Sequence, residues 1–231
     1  MINEIIFFAY ILCIAITSII AYIVGRDALI GLICIQTILL NVFVTKEINL
    51  FGLTVTASDA LAVGISLCLN LVQSRYGKNE SHKAIWIGFG SLLFYLAVSL
   101  LHLAYQPATT DTMQTHFSAL LAPMPRIIIA SFIAYIIAQH ADWFLFRFSK
   151  QIFSRRFLVF RNYFSISIAQ LLDTLIFSYL GLYGIVSNIT HIIIFSYLIK
   201  LLTIFGIVTL FSTLLQWIPE RIYPTKNHKK P

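Results

Sequence analysis

The chain has 231 residues, 59% of them hydrophobic and 11% charged, with a mean hydropathy of +0.87 and a net charge of +7. A soluble domain carries about 25% charged residues, so a water-soluble globule is excluded and an integral membrane protein is expected. Long apolar runs without two-residue alternation exclude a β-barrel, and basic residues gathered in short loops and the tail point to membrane orientation, with no nucleic-acid partner.

Seven apolar segments predict an all-α, polytopic membrane bundle of six to seven transmembrane helices. They cover roughly 5–24, 28–44, 57–74, 84–105, 126–148, 164–186 and 189–217. Each approaches the ~20 residues that a helix needs to cross the hydrocarbon core. The first has Glu4 before it, no basic flank and no small-residue cleavage site, so a retained span is expected rather than a signal peptide. The third is interrupted by Ser58, Asp59, Ser66, Asn70 and Gln73. The last is long enough to tilt, or to end in an interfacial turn before Pro219. The whole chain, 1–231, reads as one membrane domain, with a core at 28–217 and a basic tail at 218–231. Cys13, Cys34 and Cys68 fall inside spans without paired spacing, so neither a disulfide nor a zinc site is expected.

Charge then orients the bundle. If the spans alternate, Arg26, Arg75, Lys78, Lys83, Arg147, Lys150, Arg155, Arg156, Arg161, Arg221, Lys226, Lys229 and Lys230 all fall on one side. The other side receives Lys46 and Arg126, and Lys200 lies within the seventh span. The positive-inside rule makes the crowded side cytoplasmic, with the C-terminus inside and the N-terminus outside.

Within this oily chain one polar signature occurs twice. Ala138, Gln139, Asp142 and Phe146 are followed on the next span by Ala169, Gln170, Asp173 and Phe177 at the same spacing. A carboxylate at the centre of a bilayer is unfavourable by about 2.5–3.5 kcal/mol even on lenient scales, so two of them suggest a buried polar site between spans five and six. Gln and Asp three residues apart share a helix face. At ~1.5 Å per residue, Gln139 and Gln170 lie at similar depth, Asp173 near the midplane and Asp142 closer to the cytoplasmic boundary. Ala130, Ala134 and Ala138 form a stripe that lets a neighbouring helix approach. Lys200 lies too deep to snorkel; it either neutralises Asp173 or Asp142 as a structural pair, or lines a substrate cavity with one of them. Asp59 reads as a cap or a site residue, and Asn41 as a bridge between helices or a site residue.

At these residues the chain resembles the queuosine-precursor transporter family, also described as vitamin-uptake-like transporters. The similarity runs from about Asn41 to Lys200. It is carried by Leu40-Asn41 with Lys46, Leu50-Phe51-Gly52-Leu53-Thr54, Tyr76-Gly77-Lys78 and Ala84-Ile85-Trp86-Ile87-Gly88-Phe89. Pro125-Arg126-Ile127, Ala130-Ser131, Ala134-Tyr135, Gln139, Asp142, Arg161-Asn162, Ser165, Gln170, Asp173, Phe177, Tyr197 and Lys200 complete the ordered set. The family usually has an Asp and a Glu on the helix leading to Tyr76-Gly77; here Asn70 and Ser74 stand there, so Asn70 keeps hydrogen-bonding capacity without a titratable group.

The resemblance implies a bacterial inner-membrane importer of a 7-deazaguanine base for tRNA modification. Its chemistry fits the polar residues: a carboxylate accepts from a guanine-like N1–H and amine, and a Lys or Gln donates to the carbonyl. On this reading Asp173 and Gln170 take the purine edge, Gln139, Asp142 and Lys200 complete the pocket, and Asn41, Asn70 and Phe177 join its lining. A proton gradient acting through Asp142 or Asp173 is one energy source. The alternative is the substrate-binding subunit of an energy-coupling-factor importer carrying a vitamin. No Walker A, HExxH or GxSxG pattern occurs, which argues against ATP hydrolysis by this chain and against an intramembrane enzyme, and no cofactor is expected.

Overall fold

In a computed structural model, the description covers residues 2–152 and 158–204, without the side chains of 143, 146, 147, 149–152 and 158–163. Phe146, the basic side chains of the fifth-to-sixth connection, the end of the seventh segment and the 218–231 tail therefore lie outside the described residues.

Among the described residues, eight α-helices and one hairpin follow in order: α1 (Ile2–Val24), α2 (Arg26–Phe43), β1 (Glu47–Leu50), β2 (Leu53–Thr56), α3 (Asp59–Tyr76), α4 (Lys78–Leu103), α5 (Gln114–Leu121), α6 (Met124–Ile152), α7 (Leu158–Phe177) and α8 (Ile189–Leu202). A π-helical turn, Ser178–Leu182, prolongs α7. The seven expected segments correspond to α1–α4, α6, α7 with its π turn, and α8. Neither the hairpin nor the short outer helix α5 was apparent from hydropathy.

By length and composition, five described stretches can cross a membrane: α1, α2, α4, the run Gln114–Asp142 through α5 into α6, and Phe164–Leu182. α3 is more polar: its largely apolar face packs against α1, α2, α4 and α8, while Ser66, Asn70, Gln73 and Ser74 lie on its exposed side. Lipid-facing helices show the opposite pattern. Along α1, Ile5, Phe8, Leu12, Ile16 and Ile23 are all exposed, a surface that water would not tolerate over that length. The two faces of the bundle thus follow from which side chains lipid accepts.

Close approach of the helices needs small residues. A Cβ added at Gly64 of α3 would lie 2.4 Å from Ile14 Cγ2 and 2.9 Å from Gln36 Oε1, so three helices converge on a position with no side chain. On the other half, Ala130, Ala134 and Ala138 of α6 are buried, and a Cβ at Gly181 would sit 3.1 Å from that of Ala130. The small-residue stripe therefore seats α6 against α7, as expected.

The contacts at the two ends agree with alternating passes. At one end the Asn3 amide donates to the Asn49 carbonyl (3.0 Å), the Phe51 N–H to Glu4 (3.2 Å), and the Ser187 hydroxyl to Glu47 (2.7 Å). The opposite end collects cations: Arg75 donates to the Tyr22 carbonyl (2.6 Å), and Lys83 pairs with Glu80 at 2.7 Å. The hairpin turns through Phe51 and Gly52, both at positive φ (51° and 80°), with Leu50 opposite Leu53. Two such residues match the strand twist. A phenylalanine is an unusual choice there, and its ring is held by Phe8 (6.3 Å) and Phe195 (6.4 Å). At the same end Arg126 donates to the Leu180 and Tyr183 carbonyls, both at 2.7 Å, closing the end of the α7 extension.

Candidate functional site

Between these helices lies a cavity of about 250 Å³. That is slightly below the ~300–1,000 Å³ of pockets for drug-sized ligands, so it suits a compact one. Each wall is one helical stripe. α2 supplies Ile33, Thr37, Leu40 and Asn41; α3 supplies Asp59, Ala62, Ile65 and Leu69; α6 supplies Ser131, Ala134 and Tyr135. α7 brings Asp173, Thr174, Phe177 and Ser178, α8 brings Ile192, Ser196 and Lys200, and α4 contributes Ile85, Phe89 and Leu92. Spacings of three and four residues within each set are those of one helix face.

Lys200 Nζ lies 2.6 Å from Asp173 Oδ2 and 3.0 Å from Thr174 Oγ1, with both charged side chains about a quarter exposed (23% and 24%). Thr174 donates its own proton to the Gln170 carbonyl at 2.8 Å, which leaves its oxygen free to accept from the lysine. A carboxylate offers about four acceptor positions. Lys200 takes one, so Asp173 keeps capacity for a ligand without breaking the pair. Lys200 thus forms an ion pair with Asp173, and the pair lines the cavity.

Asn41 is buried and bridges helices, donating to the Thr37 carbonyl (2.8 Å) and accepting from Ser131 Oγ (3.0 Å). That leaves one amide N–H unused. Apolar faces complete the chamber: Phe89 packs on Tyr135 with centroids 5.1 Å apart, and Phe177 lines the α7 side.

Four expected site residues lie elsewhere. Asp142 does not line the cavity; the Ser165 hydroxyl lies 2.5 Å from its Oδ1 and 2.8 Å from its carbonyl, fastening α6 to α7. Gln139 is exposed, and Gln170 contributes its backbone carbonyl to Thr174 while its side chain is absent from the lining. Asn70 is exposed, one residue past Leu69, the last α3 residue in the wall. On α6 the lining ends at Tyr135 and on α7 it begins at Asp173, so Gln139, Asp142 and Gln170 lie past it, towards the α6–α7 connection. For Asn70, the 100° step between successive helical residues turns it away from the wall.

Asp59, read from the sequence as either a helix cap or a site residue and not assigned to the pocket, lines the cavity. It is 6% exposed, begins α3 beneath the hairpin, and accepts from Thr56 Oγ1 at 3.4 Å. Its sequence signal was a carboxylate in the first turn of an otherwise apolar span. Helix-start acids are common because the N-terminal dipole favours them, which hides the signal. Ser131, Tyr135, Thr174 and Ser196 carry no such signal, since hydroxyls are frequent in membrane helices.

The profile of a family described as "Putative vitamin uptake transporter" matches residues 56–215. Among curated proteins, the "Probable queuosine precursor transporter" of Bacillus subtilis (strain 168) is 34% identical over 179 residues, covering 76% of this chain and 78% of that protein. No solved structure matches.

Proposed function

This chain belongs to the vitamin uptake transporter family, and from that premise we propose that it imports a 7-deazaguanine precursor of queuosine across the bacterial inner membrane. It is a multi-pass membrane protein of a transporter family. The observation that carries the finer reading is the Asp173–Lys200 pair set in a compact, aromatic-walled cavity.

A guanine-like edge presents two adjacent N–H donors and a carbonyl. The free acceptor capacity of Asp173 suits the donors, and Lys200 or the spare Asn41 N–H suits the carbonyl. Phe89, Tyr135 and Phe177 offer faces for the bicyclic ring; such stacking contributes about 1–3 kcal/mol per base in single-strand binding. Selectivity follows from the same groups, because a ligand without the paired donors leaves a partly buried carboxylate under-satisfied. Gln139, Asp142, Gln170 and Asn70 have no direct role in this arrangement.

The test is uptake of radiolabelled 7-cyano-7-deazaguanine by proteoliposomes containing only this chain. Asp173→Asn is expected to lower affinity about 10–100-fold, the loss of a charge-assisted hydrogen-bond acceptor at about 1.5–3 kcal/mol. Unchanged uptake in that variant refutes the assignment. A requirement for ATPase subunits would favour the energy-coupling-factor alternative.

A further inference from the structure

We propose that Asp59 carries a co-transported proton, one per substrate, and is the residue through which the pH gradient drives uptake; this rests on the importer reading above. Asp59 is buried to 6% exposure, yet no ion pair among the described residues includes it. The nearby cation, Lys200, is committed to Asp173 and Thr174. An ionised carboxylate in that position is desolvated, with hydroxyls as its hydrogen-bond partners and Lys200 acting on it only through space, and is unfavourable. A bound proton or a bound cation relieves it.

The surroundings favour the proton. Asp59 faces hydroxyls: Thr56 Oγ1 at 3.4 Å, itself 3.0 Å from Ser58 Oγ, with Ser196 alongside from α8. A hydroxyl donates to a carboxylate and accepts from a carboxylic acid equally well, so these partners serve both protonation states. A fixed ion pair would serve one. Lys200, in the same cavity, repels a metal ion that would seek those oxygens.

The charged and titratable groups around Asp59 are few. α8 brings Lys200 and also His191, whose Nδ1 is turned to the Thr54 N–H (3.3 Å). α7 brings Asp173 and α6 brings Tyr135, while α2 and α4 add no titratable side chain to the lining. From α1, Tyr10 reaches the adjoining apolar cluster and Glu4 the hairpin tip; Glu47 of β1 is held by Ser187. With a proton on Asp59 the set Asp59–Asp173–Lys200 is neutral, and without it the set carries one negative charge. The proton enters from outer water beside the hairpin, rides on the carboxyl oxygen, and leaves to the cytoplasm with the substrate.

Proteoliposomes of the full chain, loaded with 7-cyano-7-deazaguanine or facing it across an acid-outside gradient in sodium-free buffer, provide the test. Wild type is expected to accumulate the probe up to about tenfold per pH unit. Asp59→Asn should lose accumulation above equilibration while exchange of labelled for unlabelled probe persists at a tenth of the wild-type rate or better. Accumulation in Asp59→Asn driven by the pH gradient, or wild-type accumulation that needs sodium instead, overturns the proposal. A second readout needs no substrate: infrared spectra of the detergent-solubilised protein near neutral pH should show a protonated carboxyl band that moves on ¹³C-aspartate labelling, and Asp59→Asn should lack it. Absence of that band from wild type overturns the proton assignment. Failure of wild type to exchange the probe, with the band present, instead overturns the substrate reading.

Discussion

The two copies of the Ala-Gln-x-x-Asp-x-x-x-Phe signature have diverged in use. In the second, on α7, Asp173 pairs with Lys200 and lines the cavity together with Phe177. In the first, on α6, Asp142 binds Ser165 across the helix interface and Gln139 is exposed. The same residues at the same spacing thus serve a chamber in one helix and a fastening in the other. The difference is position along the helix pair. α6 and α7 run antiparallel, so an identical motif places its carboxylate nearer their connection on α6 and farther from it on α7. Only the farther one meets Lys200, which reaches it from α8.

The largest expected effect comes from breaking the second copy. Lys200→Met should abolish uptake and lower thermal stability together, because Asp173 is left partly buried without its counter-charge; uptake assays and Tm in detergent check both. The double variant Asp173→Asn with Lys200→Met should recover stability without recovering uptake. A double variant no more stable than Lys200→Met would show that the pair has no electrostatic role.

Separating the two copies should come next. Gly181→Leu drives a side chain into Ala130 and Phe177, where even a Cβ lies within 3.1–3.3 Å. Overpacking of this kind is destabilising by about 1–3 kcal/mol, and the displaced α7 should carry Asp173 out of position, lowering both Tm and uptake.

A smaller, one-sided change is expected for the first copy. Asp142→Asn or Ser165→Ala weakens a charge-assisted hydrogen bond, so stability should fall by about 1–3 kcal/mol while uptake per folded molecule stays within about threefold. A loss of uptake as large as in Asp173→Asn would make the two carboxylates equivalent and void the comparison. The smallest effect belongs to Gln139→Ala, whose exposed side chain should leave Tm and uptake within error of wild type.

Much of this molecule was legible in advance because the bilayer imposes simple rules. Apolar runs located α1, α2, α4, α6, α7 and α8, and the alanine stripe marked a close-packing face of α6 without naming its partner. The place of α3 could not be read so directly, since Ser66, Asn70, Gln73 and Arg75 dilute its hydropathy, and only the structure shows that its other face packs against four helices. The hairpin was missed because four-residue strands carry almost no periodic signal; Phe51-Gly52, a two-residue turn without the usual asparagine, hid it further.

For the site, composition and spacing sufficed to single out Asp173 and Lys200, because a charge inside a span is so unfavourable that it draws notice in any fold. Asn41 and Phe177 were also singled out. What only the tertiary structure decided was membership of a common chamber. Gln139, Asp142, Gln170 and Asn70 fell outside it, while Asp59, Ser131, Tyr135 and Ser196 fell within. Residue type and helical phase are local properties, fixed along one chain segment. Which stripes face one another, and at what depth, depends on how six separate helices pack, and no single segment encodes that.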